Sequence, residues 1–261
     1  MTGDQNSNDV TASGGLLGAA DPPAVESINP SGASPFLLIG DHAGNLVPQS
    51  LGTLGLDPRE LERHIAWDIG IAALGRALAE KLDAPFIAQR YSRLVIDCNR
   101  DPLSPEANPR ESDGTRIPAN HDMDPAHWQM RVVAIHNPYQ HAIHEELVRR
   151  GAQHINTTLI SLHSFTPALN GQERPWHVGV LHAGHNDRFA RRLLDRLQQN
   201  DGLVVGDNEP YRMDSTDHTV PRHAFPRLPY AELEVAQARL GTPQEIDDFA
   251  EILVTALNAA L

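Results

Sequence analysis

Two histidines of this chain, His42 and His163, each follow a short apolar segment of the kind that forms a buried strand. Imidazole nitrogens and carboxylate oxygens are common zinc ligands, and zinc hydrolases use three such side chains and leave one position for water. Asp68 and Asp97 are carboxylates in compatible places along the chain. These residue types predict chemistry at a metal ion that activates water.

Hydrolysis at such a centre also requires a carboxylate that takes a proton from water and passes it to the leaving amine. Glu234 lies in an apolar run, where an unpaired carboxylate is costly, so a functional role is expected for it. An arginine can hold an anionic substrate through two hydrogen bonds. Arg100, which follows another apolar segment, is a candidate for that task.

The overall charge restricts the possible partners. The 261 residues contain 21 Lys and Arg against 34 Asp and Glu, a formal net charge of −13. Such a surface repels phosphate backbones, so no nucleic-acid partner is expected, although a local arginine pocket still accepts a small anion. The sequence does not indicate an oligomeric state.

Cysteine content and apolar runs bear on location. Cys98 is the single cysteine, which excludes an intramolecular disulfide and suits a reducing cytoplasm. No apolar run approaches the ~20 residues of a membrane span, and the N-terminus lacks the basic start and apolar core of a secretory signal. We therefore expect a cytoplasmic protein without a membrane partner.

The elements that position these residues alternate between strands and helices from about residue 34 onward. Strands are predicted at residues 35–40, 85–88, 93–97, 158–162, 177–181, 203–205 and 231–235. Helices are predicted from Asp57, from near Asp68 to Leu82, over 124–150 with a kink at Pro138, over 186–199 and from Thr242 onward. The alternation predicts a three-layer α/β sandwich with a mostly parallel mixed sheet.

Two segments do not fit this alternation. Residues 1–33 are rich in small and polar residues without periodicity, and they predict a disordered tail before a single catalytic domain over 34–261. Residues 101–123 predict a loop over the site. In such sheets ligands bind beyond the C-terminal ends of the strands, which is where the candidate residues fall.

Several segments in matching order resemble the N-formylglutamate amidohydrolase family. They are residues 41–45 (DHAGN), 66–70 (AWDIG), 92–100 (SRLVIDCNR), 163–167 (HSFTP), 176–181 (WHVGVL) and 208–211 (NEPY). The resemblance runs from about Phe36 to the last strand. It implies zinc-dependent hydrolysis of N-formyl-L-glutamate, a small anionic N-acyl amino acid, to formate and glutamate in histidine degradation.

A more distant resemblance is to zinc carboxypeptidases and aspartoacylases, and it implies a zinc-exopeptidase (phosphorylase/hydrolase-like) fold. Their Asp-x-Asn-Arg segment matches Asp97, Asn99 and Arg100, whose Asn and Arg would bind the substrate carboxylate. Their first zinc segment is His-x-x-Glu, but here the fourth position is Asn45. The metal ligands are therefore expected to be His42, His163 and Asp68, with Asn45 as the alternative third ligand.

The same families carry their general base as a glutamate in a late strand. Glu234 and Glu232 are the two candidates, since they lie two residues apart on one strand face. The amidohydrolase family has Arg and Asp soon after this glutamate, where this chain has Ala236 and Ala238. That departure leaves open a hydrolase for another N-acyl amino acid or a short peptide.

Arg90, Arg93 and Arg116 are the candidates for a second substrate carboxylate, Arg93 being the principal one.

Other roles remain open for some of these residues. Asp68 is also a good helix N-cap, and Asp97 can orient a metal-bound histidine from behind, as can Asn45 if Asp68 is the ligand. Asn45 in place of glutamate also fits a non-catalytic binding protein. His-plus-carboxylate sites accept several divalent ions, so zinc is the expected metal but another divalent ion is possible.

Overall fold

The computed structural model describes residues 15–169 and 171–261. Eleven strands are present in these residues: β1 (Val25–Ile28), β2 (Phe36–Gly40), β3 (Phe86–Gln89), β4 (Glu111–Ser112), β5 (Thr115–Arg116), β6 (Thr158–Phe165), β7 (Ala168–Leu169), β8 (Gln172–Glu173), β9 (Val178–Leu181), β10 (Val205–Asp207) and β11 (Tyr230–Ala236). Seven of them form one sheet in the order β1-β3-β2-β6-β11-β9-β10. The pairs β4–β5 and β7–β8 are small separate hairpins.

The large sheet is mixed and mostly parallel. Strands β3, β2, β6 and β11 run parallel to one another, as do β9 and β10. The β1–β3 and β9–β11 pairs are antiparallel. Every residue of β2, β6 and β11 is buried, because the sheet is covered on both faces.

Helices form the two outer layers. They are α1 (Ile71–Leu82), α2 (Pro125–Arg131), α3 (Asn137–Ala152), α4 (Arg188–Gln198), α5 (Thr219–Ala224) and α6 (Pro243–Ala260). Helices α1, α4 and α6 pack on one face with Phe36 and Leu38, while α3 and α5 pack on the other with Leu37 and Ile39. Alternate residues of β2 thus enter opposite cores, as the pleat requires. The predicted three-layer α/β sandwich is confirmed.

The sheet begins earlier than predicted. Strand β1 pairs with β3, with Glu26 opposite Ala88, and Leu16 and Ala24 are buried in a core. The prediction of a disordered tail is therefore wrong for residues 15–33, while residues 1–14 lie outside the described part of the chain. Local composition missed β1 because its order comes from pairing with a strand some sixty residues later in the chain.

The predicted strand at 93–97 is a turn. The Ser92 hydroxyl accepts a hydrogen bond from the Leu94 amide at 3.1 Å, and the Ser92 carbonyl accepts one from the Val95 amide at 2.9 Å. A serine that bonds to the backbone just after it favours such a turn. The apolar residues of this segment are buried as a strand's would be, which is why their pattern was misleading.

Helix boundaries also differ in places. Helix α1 begins at Ile71 with Gly70 as its N-cap at φ 87°, so Asp68 precedes the helix and does not cap it. The expected kink at Pro138 is instead a π-helical segment, Val132–His136, before α3. Asp57 and Thr242 cap their helices as predicted, the first of which is a short 3-10 helix, Pro58–Glu62.

None of the helices in the described residues has the length and apolarity that crossing a bilayer requires.

Candidate metal centre and cavity

Three side chains meet at the C-terminal edge of the sheet. His42 follows β2, His163 lies in the neighbouring β6, and Asp68 precedes α1. The Asp68 amide donates to the His42 carbonyl at 2.9 Å, which ties the segment before α1 to the segment after β2. Parallel neighbouring strands thus bring residues that are far apart in sequence to one edge.

The donor atoms of these residues are spaced as metal ligands are. His163 Nδ1 lies 3.0 Å and His42 Nδ1 lies 3.5 Å from Asp68 Oδ2. One ligand atom from each residue lies within 4.8 Å of the others. Two donors of a tetrahedral zinc ion with bonds of ~2.0–2.1 Å are about 3.3 Å apart. The metal group formed by His42, Asp68 and His163 could therefore bind a metal ion.

The remaining nitrogens of both histidines already have partners. His42 Nε2 lies 2.7 Å from Asp97 Oδ1. His163 Nε2 lies 3.1 Å from Ser161 Oγ and 3.3 Å from Asp41 Oδ2. This leaves His42 Nδ1 buried without a hydrogen-bond partner. A buried, unpartnered nitrogen is costly, and a cation bound there would satisfy it.

The charges of this group compensate one another. Burial opposes the charged form of each residue, but Arg93 and His42 together hold the pKa of Asp97 well below its usual value. Against the same burial, hydrogen bonds with Asp41 and Asp68 keep the pKa of His163 well above 6.5. The carboxylates are therefore ionised at neutral pH, as metal ligands and their supporting residues must be.

Two further carboxylates lie beside the group. Glu234 is opposite His163 and Glu232 is opposite Ser161 in the β11–β6 register, so both face the same side. Each is buried and has an Oε2 atom without a hydrogen-bond partner. Burial raises the pKa of each to about 8. A carboxyl with such a pKa can give and take a proton near neutral pH.

A cavity of about 1020 Å³ opens onto these residues. His42, Asp68, His163, Glu232 and Glu234 all line it. Residues of the segment 106–113 form part of its wall, which agrees with the predicted loop over the site. The cavity brings the candidate ligands, bases and substrate-binding residues into one space.

The three predicted substrate-binding residues line the cavity but already have partners. Asn99 Oδ1 accepts hydrogen bonds from the amides of His218 and Thr219 at 3.1 and 3.0 Å. Arg100 donates to its neighbour's carbonyl at 2.9 Å and to Asp217 Oδ1 at 3.3 Å. Both side chains thus hold the segment before α5.

Arg93 contacts two carboxylates of the candidate metal centre. Its Nη2 donates to Asp97 Oδ2 at 2.6 Å, and its Nη1 lies 3.6 Å from Asp68 Oδ1. One guanidinium group therefore touches both a candidate ligand and the residue that holds His42.

Three sequence candidates lie elsewhere. The Asn45 amide donates to the Leu61 carbonyl at 3.0 Å and lines a separate cavity of about 260 Å³. That side chain is therefore turned away from the metal group, against its expected place as alternative ligand or supporting residue. Arg90 lines the same small cavity and lies 3.4 Å from Glu26. Arg116 is exposed in β5.

Sequence reasoning missed several residues that the fold brings to the site. Asp41 and Ser161 support His163, and their closeness to His42 and His163 in sequence is a signal that could have identified them. Asp217 and His64 line the cavity from loops, where no local pattern marks them, while Tyr211 lies in the 208–211 segment that resembles the family.

The three-layer α/β fold carries a His–Asp group that could bind a metal ion beside two buried glutamates, an arrangement that suits a hydrolase. The family model of N-formylglutamate amidohydrolase matches residues 34–240, and the chain belongs to this family. Hydrolysis of the N-formylglutamate amidohydrolase type is therefore the activity that the family supports.

Solved structures share the fold of this chain. The gene product Atu2144 from Agrobacterium tumefaciens is 34% identical, with a TM-score of 0.88 over 93% of this chain and 98% of its own. N-formylglutamate amidohydrolase from Ralstonia eutropha JMP134 is 18% identical, with a TM-score of 0.67 over 92% and 97%; it shares the fold. No curated protein sequence matches the chain.

Proposed function

We propose that this protein hydrolyses the formyl amide of N-formyl-L-glutamate to formate and L-glutamate, using zinc held by His42, Asp68 and His163. The observation that carries the proposal is the buried, unpartnered Nδ1 of His42, which faces two further donor atoms. These residues would hold zinc, which when bound would polarise the substrate carbonyl and make water more acidic.

The residues behind the ligands set the tautomer of each histidine. Ionised Asp97 accepts a hydrogen bond from the Nε2–H group of His42, so His42 Nδ1 keeps its lone pair for the metal. Asp41 acts in the same way on Nε2 of His163. These partners also fix the orientation of the rings, which raises metal affinity.

Glu234 is the general base in this proposal. Its unpartnered Oε2 takes a proton from the attacking water and delivers it to the amide nitrogen of the leaving glutamate. Glu234 lies opposite His163 on the adjacent strand, and this position favours it over Glu232. Glu232 lies two residues earlier in β11, opposite Ser161, and remains the alternative.

The α-carboxylate of the substrate is assigned to Arg93 and to the Asn99–Arg100 pair. All three line the cavity, and Arg93 lies against the metal group. For Arg100 to bind the substrate, the carboxylate would have to replace Asp217, its partner at 3.3 Å. A small anionic N-acyl amino acid is the substrate class that this set favours.

The size of the cavity supports a second candidate function. N-formylglutamate has few atoms, whereas about 1020 Å³ is typical of pockets for much larger ligands. A hydrolase for a bulkier N-acyl amino acid or a short peptide would use the same residues. The non-catalytic alternative is less favoured, because Asp68 supplies the carboxylate that Asn45 does not.

The wider setting is also proposed from the family. Formate and glutamate are products of a histidine-degradation step in the family that this chain resembles, and a cytoplasmic location would suit that step. The single, buried cysteine is compatible with a reducing compartment.

The experiment combines metal analysis with a substrate panel. We expect about one zinc per chain, loss of turnover on chelation and recovery on adding zinc. Formate release from N-formylglutamate should exceed release from N-formylalanine. Equal rates on both would contradict the specific substrate, and turnover that survives complete metal removal would contradict the metal dependence.

A further inference from the structure

Arg174 is held by two aromatic rings that line the large cavity. Its guanidinium carbon lies 4.8 Å from the ring centroid of Tyr211 and 5.9 Å from that of Phe165. Its Nη1 also donates a hydrogen bond to the Tyr211 hydroxyl at 2.9 Å. Stacking and a hydrogen bond together fix a side chain that is otherwise flexible.

This guanidinium lacks a carboxylate partner. Within residues 15–169 and 171–261, no Asp or Glu oxygen lies within 4 Å of Arg174, although the chain is rich in acidic residues. A guanidinium has five N–H donors, and the Tyr211 hydroxyl accepts only one of them. The remaining donors can bind an anion.

Both supporting rings belong to the wall of the large cavity. Phe165 lies two residues after His163 in β6, and Tyr211 enters from the loop after β10. Arg174 therefore lies against the part of the cavity wall that Phe165 and Tyr211 form.

The other arginines of the cavity differ in their surroundings. Arg93 forms ion pairs with Asp97 and Asp68, and Arg100 forms one with Asp217. Arg212 lines the cavity without the aromatic support that Arg174 has. Arg174 thus combines a fixed position with available donors.

We propose that Arg174, held in place by Tyr211 and Phe165, binds the side-chain carboxylate of the substrate and makes the enzyme selective for dicarboxylates. This inference rests on the proposed function. Arg93 touches the metal group and meets the carboxylate nearest the scissile amide, while Arg174 meets the more distant one beside its two supporting rings. An uncharged side chain would leave the guanidinium without a partner.

The kinetic test compares N-formylglutamate with N-formylglutamine, which has nearly the same shape but lacks the second charge. Arg174→Ala should lower kcat/KM for N-formylglutamate by about 10–100-fold, the effect of a lost hydrogen bond to a charged group. The same variant should leave kcat/KM for N-formylglutamine within about twofold of the wild type, because that substrate does not use the interaction.

Two further variants control for folding and for charge. Arg212→Ala removes a guanidinium from the same cavity and should not change the preference between the two substrates. Arg174→Lys keeps the positive charge but loses the planar fork, so it should recover only part of the selectivity. Equal loss on both substrates in Arg174→Ala and Arg174→Lys would contradict the proposal.

Calorimetric binding of glutarate separates this inference from the proposed function, since it needs no turnover. We expect wild-type protein and Arg212→Ala to bind glutarate, and Arg174→Ala to bind it about 10–100-fold more weakly. This result in a protein that does not cleave N-formylglutamate would keep the inference and reject the proposed reaction. Equal binding by wild type and Arg174→Ala, or no binding by the wild type, would overturn the inference.

Discussion

Asp97 Oδ1 lies 2.7 Å from Nε2 of His42, and the other oxygen of Asp97 accepts a hydrogen bond from Arg93 at 2.6 Å. His42 is therefore held from behind by a carboxylate that is itself fixed, while its Nδ1 faces Asp68 and His163. Arg93 and Asp97 belong to the segment 93–97, which sequence patterns identified as a strand and which forms a turn. Their contacts connect this turn to the candidate metal group.

Asp97→Asn should weaken zinc binding by about 10–100-fold, since the partner of a metal-bound histidine sets its tautomer and orientation. Competition with a chromophoric chelator measures the zinc dissociation constant. Asp214→Asn is a matched control, because Asp214 lines the same cavity but bonds only within its own loop. Unchanged zinc affinity in Asp97→Asn would reject this role.

Glu234→Gln should reduce kcat by about 10²–10⁴-fold, as removal of a general base does. Zinc content should stay near that of the wild type, because neither glutamate belongs to the ligand group. Glu232→Gln is the matched variant on the same strand face and should reduce kcat less. The opposite ranking of the two variants would assign the base to Glu232.

Metal-free protein should lose stability as pH rises from about 6.5 to 8. Burial raises the pKa of Glu232 and Glu234 to about 8, so the folded state keeps protons that the unfolded state releases above pH ~4.5. The pKa of His163 is also raised, and its stabilising contribution is lost as pH increases above its ordinary value of 6.5. The lowered pKa of Asp97 changes the free energy of unfolding only below pH ~4.

Urea unfolding with a chelator at pH 6.5, 7.5 and 8.5 measures this trend. Zinc-loaded protein should show the trend weakly or in reverse, because ligands bind metal in their deprotonated form. A chelated protein that becomes more stable between pH 6.5 and 8.5 would contradict the assigned shifts.

Gly44→Ala should destabilise the protein by about 1–3 kcal/mol, as overpacking a filled site does. A Cβ at this position would lie 2.1 Å from the Arg90 carbonyl oxygen, which accepts a hydrogen bond from Leu46. Gly151→Ala is the control, since its Cβ would meet no atom within 4 Å and should be tolerated. Thermal unfolding of both variants gives the comparison, and equal stability would refute the clash.

Zinc itself should stabilise the fold. A ligand that binds only the folded state at 100 times its dissociation constant adds about 2.7 kcal/mol to the free energy of unfolding. The melting temperature of wild-type protein should therefore rise with zinc, whereas Asp68→Ala should show little rise because it lacks one of the three donors. An equal rise in both would place the metal elsewhere.

The sequence by itself determined the elements with strong local patterns. Apolar runs marked β2, β6 and β11, and residues spaced by helical turns marked α1 and α6. The motifs also indicated the family, and the residue types of His42, Asp68 and His163 indicated metal chemistry. These features depend on neighbours along the chain, which a sequence displays directly.

The tertiary structure alone decided which distant residues meet. It turned Asn45 away from the metal group and placed Asp68 before α1 instead of at its cap. It brought Arg174 onto Tyr211, 37 residues later, and paired β1 with β3. Such contacts follow from strand order and layer packing, and no periodicity within one segment records them.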